Sequence, residues 1–407
     1  MSDALDHFPP NRIAALERLA RFVPHAGRTY MSRRNHDLGP GRHDGVSQLS
    51  PYIRTRLLTE SDVLEAVLGR HSLRGAEKFV QEVYWRTYWK GWLEMRPGVW
   101  TAYQRDLSRV LDDVQTQSGL RNAWEAACKG ETGIECFDAW AQELVETGYM
   151  HNHARMWFAS IWIFTLGLPW ELGADFFLRH LLDGDPASNT LSWRWVGGLQ
   201  TRGKTYLARP SNIAKYTEGR FRPTDLAPDA PALSGELAPD RQPLMPGQTF
   251  DPALRTGLVL HDDDLSPGFV FSQGLTPVAT TVLNGRAKLS PLKVAPHVID
   301  FARAAADDTI VRFGERLGPV GHSESVNDLV AWAEEHELEQ IVAPYAPVGP
   351  NSDVLCGLRG HDNAVDLRLV QRDYDSAAWP YATAGFFKFK EKIPSLVGGL
   401  EGLRAAE

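Results

Sequence analysis

The sequence predicts two units of different class: a large all-helical unit, then a small α/β unit, Rossmann-like in class. Three observations carry this. Eleven of the thirteen Trp lie before residue 200, and residues 12–220 carry apolar stripes of helical period with few strand-like alternations. Residues 221–252 hold seven Pro and almost no aromatic residue, which is the composition of a linker. From about residue 255, short apolar runs alternate with helical patterns, as a largely parallel sheet requires. A chain of 407 residues suffices for two such units, with expected boundaries at 1–220, 221–252 and 253–407.

In chain order, VSQLSPYI (46–53), preceded by Tyr30, reads as a turn before a helix, whose hydroxyls and backbone N–H groups can cradle phosphates or simply cap the helix. QEVYWRTYWKGW (81–92) reads as a helix with Glu82, Trp85, Arg86 and Trp89 on one face. Core packing is the ordinary reading of such a stripe, but a buried Glu and Arg need partners. HNHARMWF (151–158) puts Asn152, Arg155 and Met156 on one helical face, with His151 one turn from Arg155. Arg155 is either half of a structural ion pair or a fixed cation beside an anionic reduced cofactor. DGDPASN (183–189) reads as a helix start with Asp185 at the N-cap and Pro186 in the first turn. Asp183 can pair an Arg, Asp185 can accept from a ligand's N–H groups, and Asn189 lies one turn further in. Trp193 and Trp195 diverge in direction if the helix continues.

In the second unit GLVLHDDD, GFVFS, VATTVL, QIVAPYAP and LRLVQRDY (367–374) read as strands. Val298 to Ala305 and DLVAWAEEHEL (328–338) read as helices.

Composition sets the bounds. Cys128, Cys136 and Cys356 are too few and too scattered for a disulfide framework or an iron–sulfur cluster, and no metal is expected. The N-terminal MSDALDHFPPNR lacks the pattern of a signal peptide, and no apolar run is long enough to span a membrane. The expected setting is the cytoplasm. Net charge is −8, but residues 1–220 hold 27 basic and 25 acidic residues against 16 and 26 in the remainder. A nucleic-acid surface therefore belongs on the first unit, where six Lys/Arg between Arg202 and Arg222 are interleaved with Tyr206, Tyr216 and Phe221.

Taken in order, these motifs resemble the helical flavin domain of the DNA photolyase/cryptochrome family over residues 12–220. The resemblance implies FAD in a U-shape. It places Tyr30, Ser47, Leu49 and Ser50 at the phosphates. Arg86, Asn152, Arg155, Asp183, Asp185 and Asn189 would line the flavin, with Arg155–Asp183 as a salt bridge and Asn189 facing N5. It implies that Glu82, Trp85, Met156 and Trp195 contact a flipped-out cyclobutane pyrimidine dimer in damaged DNA, and that Trp193 and Trp170 are the inner members of an electron-transfer chain. No Trp stands at the outer position, where Trp157 or Trp162 could substitute. The implied activity is light-driven electron transfer that repairs the dimer; the alternative is a cryptochrome-like blue-light receptor without repair. Family members normally begin with an α/β antenna domain. Here the α/β unit comes last and ends in WPYATAGFFKFKEKIP, similar to the segment that closes the antenna domain elsewhere, so a circular permutation is expected. The antenna chromophore is left open.

Overall fold

The helix Glu77–Glu94 carries aromatic and aliphatic residues around most of its circumference, among them Phe79, Val83, Tyr84, Tyr88, Trp92 and Leu93, all buried. A helix apolar on nearly every side is stable only inside a bundle. In the computed structural model, which describes residues 3–236, 238–362 and 365–400, it is packed by the helix Pro186–Val196 and by the C-terminal helices Asp373–Ala378 and Phe386–Lys390. The remaining long helices of the first part, Gly98–Thr116, Glu135–Thr147, Asn152–Ser160 and Trp170–His180, complete the bundle. The helix Asn152–Ser160 runs on into a π-helical turn, Ile161–Thr165.

Residues 221–252 form no helix or strand among the described residues. Scattered backbone bonds pin the segment down: Leu233 N–H to Gly197 O (2.9 Å), Gln242 N–H to Met95 O (2.8 Å) and Gln248 N–H to Leu369 O (2.9 Å).

The second part holds five parallel strands: β1 (Thr256–His261), β2 (Ala279–Leu283), β3 (Val320–Ser323), β4 (Gln340–Pro344) and β5 (Asp366–Val370), in the order β3-β2-β1-β4-β5. Period-2 alternation divides each inner strand between two cores. Leu258 and Leu260 of β1, Val342 of β4 and Val370 of β5 join the core of the helical bundle. Val259, Ile341, Ala343, Leu367 and Leu369 face the other way, against Leu329, Trp332 and Leu355. One hydrophobic core therefore runs from the bundle into the sheet.

Three readings of the second part are corrected. GFVFS is a short helix, Gly268–Phe271, started by Pro267; a four-residue apolar run has no period to tell helix from strand. LRLVQRDY is a strand only to Val370, and a helix begins at Asp373. Strand β3, a half-buried edge with a Gly and a His, went unread because it lacks apolar alternation.

The two parts are also joined by charge. Arg56, buried, donates to Glu60 (3.1 Å), to Asp264 (3.1 Å) and to both oxygens of Asp375 (2.8 and 2.7 Å). Asp264 also takes a bidentate grip from Arg372 at 2.6 and 2.8 Å. Arg54 meets Asp263 at 2.5 Å and donates through Nε to Gly184 O at 2.8 Å. Arg286 donates to the same carbonyl at 2.9 Å and pairs with Asp262 at 2.8 Å. Glu94 adds a neutralisable link, accepting from Tyr345 Oη (2.7 Å) and Val348 N–H (2.6 Å). Burial pushes its carboxyl up to about 7, against those two hydrogen bonds.

Two outcomes follow. Asp264→Ala leaves Arg56 and Arg372 short of a partner in the interior, and should cost about 3–5 kcal/mol in urea unfolding; a loss below about 1 kcal/mol would show that the network does not hold the parts together. Glu94 holds its proton in the folded chain up to about 7 but releases it near 4.5 when unfolded. The folded state binds the extra proton in that window, so the stability Glu94 contributes is lost as pH rises through it. Relative to Glu94→Gln, the wild type should lose roughly 2–3 kcal/mol across the window; parallel stability–pH curves for the two proteins would refute this.

Candidate functional site

The centre of the site is the turn Asp183–Gly184–Asp185. Asp185 caps the helix Pro186–Val196, its carboxylate accepting from Ser188 N–H at 2.8 Å, with Pro186 in the first turn. The other carboxylate oxygen sits among Arg86 (3.7 Å), Lys90 (3.7 Å) and Arg54 (3.8 Å). Burial alone would raise the Asp185 carboxyl, but Lys90, Arg86 and Arg54 outweigh it and hold the group ionised, well below the usual carboxylate range. Burial, with Arg86 beside it, pulls Lys90 down to about 8. Asp183 receives Arg155 Nη2 at 2.9 Å, and Arg155 is oriented by donating through Nε to Met150 O at 2.9 Å. Burial raises the Asp183 carboxyl, but Arg155 outweighs that and keeps it lowered, with Ser50 adding a hydrogen bond. The turn Ser47–Ser50 thus lies beside the same centre. Within the turn, Leu49 N–H donates to Ser47 Oγ (3.4 Å), and Gln48 stands at a positive φ of 52°. Asn189 donates through Nδ2 to Ala174 O at 2.9 Å, so its carbonyl end is the one able to accept from a ring N–H.

The donor set fits FAD. Asp183 Oδ1, Lys90 Nζ, Arg86 Nε and His151 Nε2 are buried without a hydrogen-bond partner. Buried polar groups are ordinarily satisfied, and these unsatisfied acceptors and cationic donors suit a ligand carrying both ring N–H groups and phosphates. Asn152 of the expected flavin set is exposed, one residue beyond the N-cap His151. Tyr30 is buried edge-on to Phe22 (5.8 Å) and Phe79 (5.3 Å); burial, with Glu82 nearby, raises its phenol.

The helix Glu77–Glu94 splits its predicted stripe three ways. Glu82 turns to Arg34 in a close ion pair. Burial raises its carboxyl above the ordinary value, with Arg34 opposing. Arg86 turns to Glu60 (3.7 Å) and Asp185. Trp85 stacks on the ring of Phe386 (3.6 Å), with Trp89 tilted beside it at 5.2 Å. Met156 and Trp195 are half-buried, and Trp195 packs on Tyr206 at 5.7 Å.

The indoles diverge as their spacing predicts. Trp193 is buried, edge-on to Trp162 (6.1 Å) and Phe177 (5.1 Å). Its ring packs so close to Gly173 that a Cβ there would come within 2.3 Å of it. Trp170 packs instead on Tyr103 (5.6 Å), itself beside Trp100 (5.2 Å). Trp157 stacks on His153 at 4.1 Å. Of the two candidate substitutes, Trp162 is therefore the ring neighbour of Trp193.

Sequence reasoning missed Arg34, Arg54, Lys90, Asp262, Asp263, Arg286 and Phe386. Arg34, Arg54 and Lys90 had a signal, each standing one turn from a residue already singled out. The others had none, because their partners are far away in the chain. Asp37, His43 and Glu143 also come within 4.8 Å of one another in the interior. They are engaged with protein partners: Asp37 accepts from Trp140 Nε1 (2.7 Å), Arg220 (2.8 Å) and Gly39 N–H (3.1 Å), while His43 meets Glu143 at 2.8 Å. Among the described residues no helix is long and apolar enough to cross a membrane.

Comparison with known proteins agrees with this chemistry. Residues 79–220 match the family described as the FAD binding domain of DNA photolyase. A deoxyribodipyrimidine photo-lyase of Streptomyces griseus is 35% identical over 159 residues, 39% of this chain and 33% of that protein. One from Thermus thermophilus is 33% identical over 199 residues, 48% of this chain and 45% of that protein. The chain thus spans less than half the length of these curated relatives. A class III photolyase structure from Agrobacterium tumefaciens aligns over 53% of this chain and 44% of its own, with 27% identity and a TM-score of 0.42.

Asp183→Asn would remove the charge that Arg155 faces and an acceptor at the centre of the site. Flavin retained through purification, read from the visible absorbance, should fall with an affinity loss of roughly tenfold; wild-type flavin content in the variant would exclude Asp183 from the cofactor site.

Proposed function

We propose, from the premise that the helical part of this chain belongs to the photolyase/cryptochrome family, that the protein is a FAD-dependent, light-driven repair enzyme for cyclobutane pyrimidine dimers in DNA. The observation that carries this reading is Glu82: a half-buried carboxyl with a raised pKa, held by Arg34, one helical turn from both Trp85 and the Arg86 that reaches Asp185. A carboxylate held in this way can accept a hydrogen bond from a pyrimidine ring N–H. Trp85 and Trp195 offer stacking faces, worth about 1–3 kcal/mol per base, and a damaged pair costs less to flip out than an intact one.

When bound, FAD supplies a photoexcited electron that passes to the dimer and returns after the two ring bonds have broken, leaving no net oxidation. The chain's own residues bind and orient. Arg155, locked by Asp183 and Met150, would hold its guanidinium beside the ring. Asn189 presents its carbonyl, and Lys90, Arg86 and Arg54 keep Asp185 ionised as an acceptor. Trp193, buried against Trp162, is placed for electron supply along the indoles, with Trp170 on the Tyr103 side.

The sheet following the helical unit, and the return of Phe386–Lys390 to the helix Glu77–Glu94, support reading the second part as an antenna-like domain in circular permutation. The net charge of −8 favours a second reading, a cryptochrome-like light sensor that does not repair DNA.

Illumination of the reduced protein with a dimer-containing oligonucleotide, followed by nucleobase absorbance, separates the two. Recovery of absorbance supports repair; none, with FAD intact, leaves the sensor. Glu82→Ala should lower repair yield roughly tenfold while retaining FAD, and an unchanged yield would remove Glu82 from its role.

A further inference from the structure

Trp85 is backed on one face by a residue of the C-terminal segment. The ring of Phe386 lies parallel to the indole, 3.6 Å between centroids and 12° between planes. Aromatic pairs ordinarily prefer edge-on or offset geometries with wider centroid spacing, so this full overlap fixes the plane of the indole. Phe386 is itself immobilised. It is 5% exposed, with Tyr88 edge-on at 5.5 Å and Phe389 at 5.9 Å. The segment carrying it is tied to the same helix as Trp85 at two further points, Tyr88 Oη donating to Ala384 O (2.7 Å) and Lys390 pairing with Glu77 (2.9 Å), and just past that helix Arg96 donates to Thr383 O (3.1 Å). Trp85 keeps partial exposure although Phe386 is buried, so the surface it offers to solvent lies away from Phe386.

We propose that Phe386 is a positioning residue for lesion recognition. It completes a stack in which the phenyl ring backs Trp85 and the flipped pyrimidine lies on the indole's other face. The proposal rests on the reading of Trp85 as a lesion contact. Its added content is that the lesion pocket is incomplete without the C-terminal part of the chain. A fixed platform loses less conformational freedom when a base stacks on it, so the backing ring contributes to affinity without touching DNA.

The test uses full-length holoprotein and three quantities: FAD content, affinity for an undamaged duplex, and affinity for the same duplex carrying one dimer. Phe386→Leu and Phe386→Met keep apolar volume but remove the flat ring. Both should leave the first two quantities unchanged and weaken dimer affinity about three- to tenfold. Phe386→Tyr, which keeps the ring, should restore it. Unchanged dimer affinity in Leu and Met variants overturns the proposal. So does a parallel loss of FAD or of undamaged-duplex affinity in both, which would mark Phe386 as a purely structural contact. Trp85→Ala separates the levels. If it loses dimer selectivity while the Phe386 variants keep it, only this inference falls. If it keeps selectivity, the role of Trp85 falls and Phe386 with it.

Discussion

Arg54 is the side chain on which the arrangement turns. It is buried, and a buried guanidinium persists only where carboxylates and carbonyls surround it. Here they come from two distant stretches of chain: Gly184 O and Asp185 from the turn Asp183–Asp185, Asp262 and Asp263 from just past β1. The same cation therefore shapes that turn and docks the sheet on it. Arg56, two residues on, repeats the device with Asp264 and Asp375. Positive and negative groups alternate through the interface, so each is screened by its neighbours. Replacing one member exposes the others to an unpaired charge.

This joint uses a place where open α/β sheets ordinarily bind ligands. In the order β3-β2-β1-β4-β5 the chain reverses direction across the sheet between β1 and β4, and the crevice at the carboxyl ends of those strands is the usual site. Here Asp262 and Asp263, just past β1, accept from Asn351 at 2.8 and 2.7 Å, and both face Arg54. The crevice thus forms part of the contact with the helical bundle, which explains why three consecutive buried acids follow a strand that is itself wholly buried.

The sequence was legible wherever a local rule acts. Asp185 and Pro186 announce a helix start by chemistry confined to a few residues, and the helix is there. The divergence of Trp193 and Trp195 follows from helical geometry alone. The stripe Glu82–Trp85–Arg86–Trp89 was legible as a face but not as three separate destinations, because Arg34, Phe386 and Asp185 are set by packing. Lys90 was given no role from the sequence, yet it is buried beside Asp185. Its partner lies across the bundle, and no pattern within one helix encodes that. GFVFS failed for the opposite reason: too short a run to show any period.

The span of the Arg56 contacts bears on how the molecule comes into being. Arg56 and Asp375 are 319 residues apart, and Arg56 and Asp264 are 208 apart. On a ribosome the helical bundle emerges first, with Arg56 facing only Glu60 and Arg54 only Asp185 and the Gly184 carbonyl. Asp262, Asp263, Asp264 and Asp375 join them only when the later strands and helices arrive. Closing loops of that length is slow, and a chain interrupted before Asp375 would leave Arg56 without one of its three carboxylates.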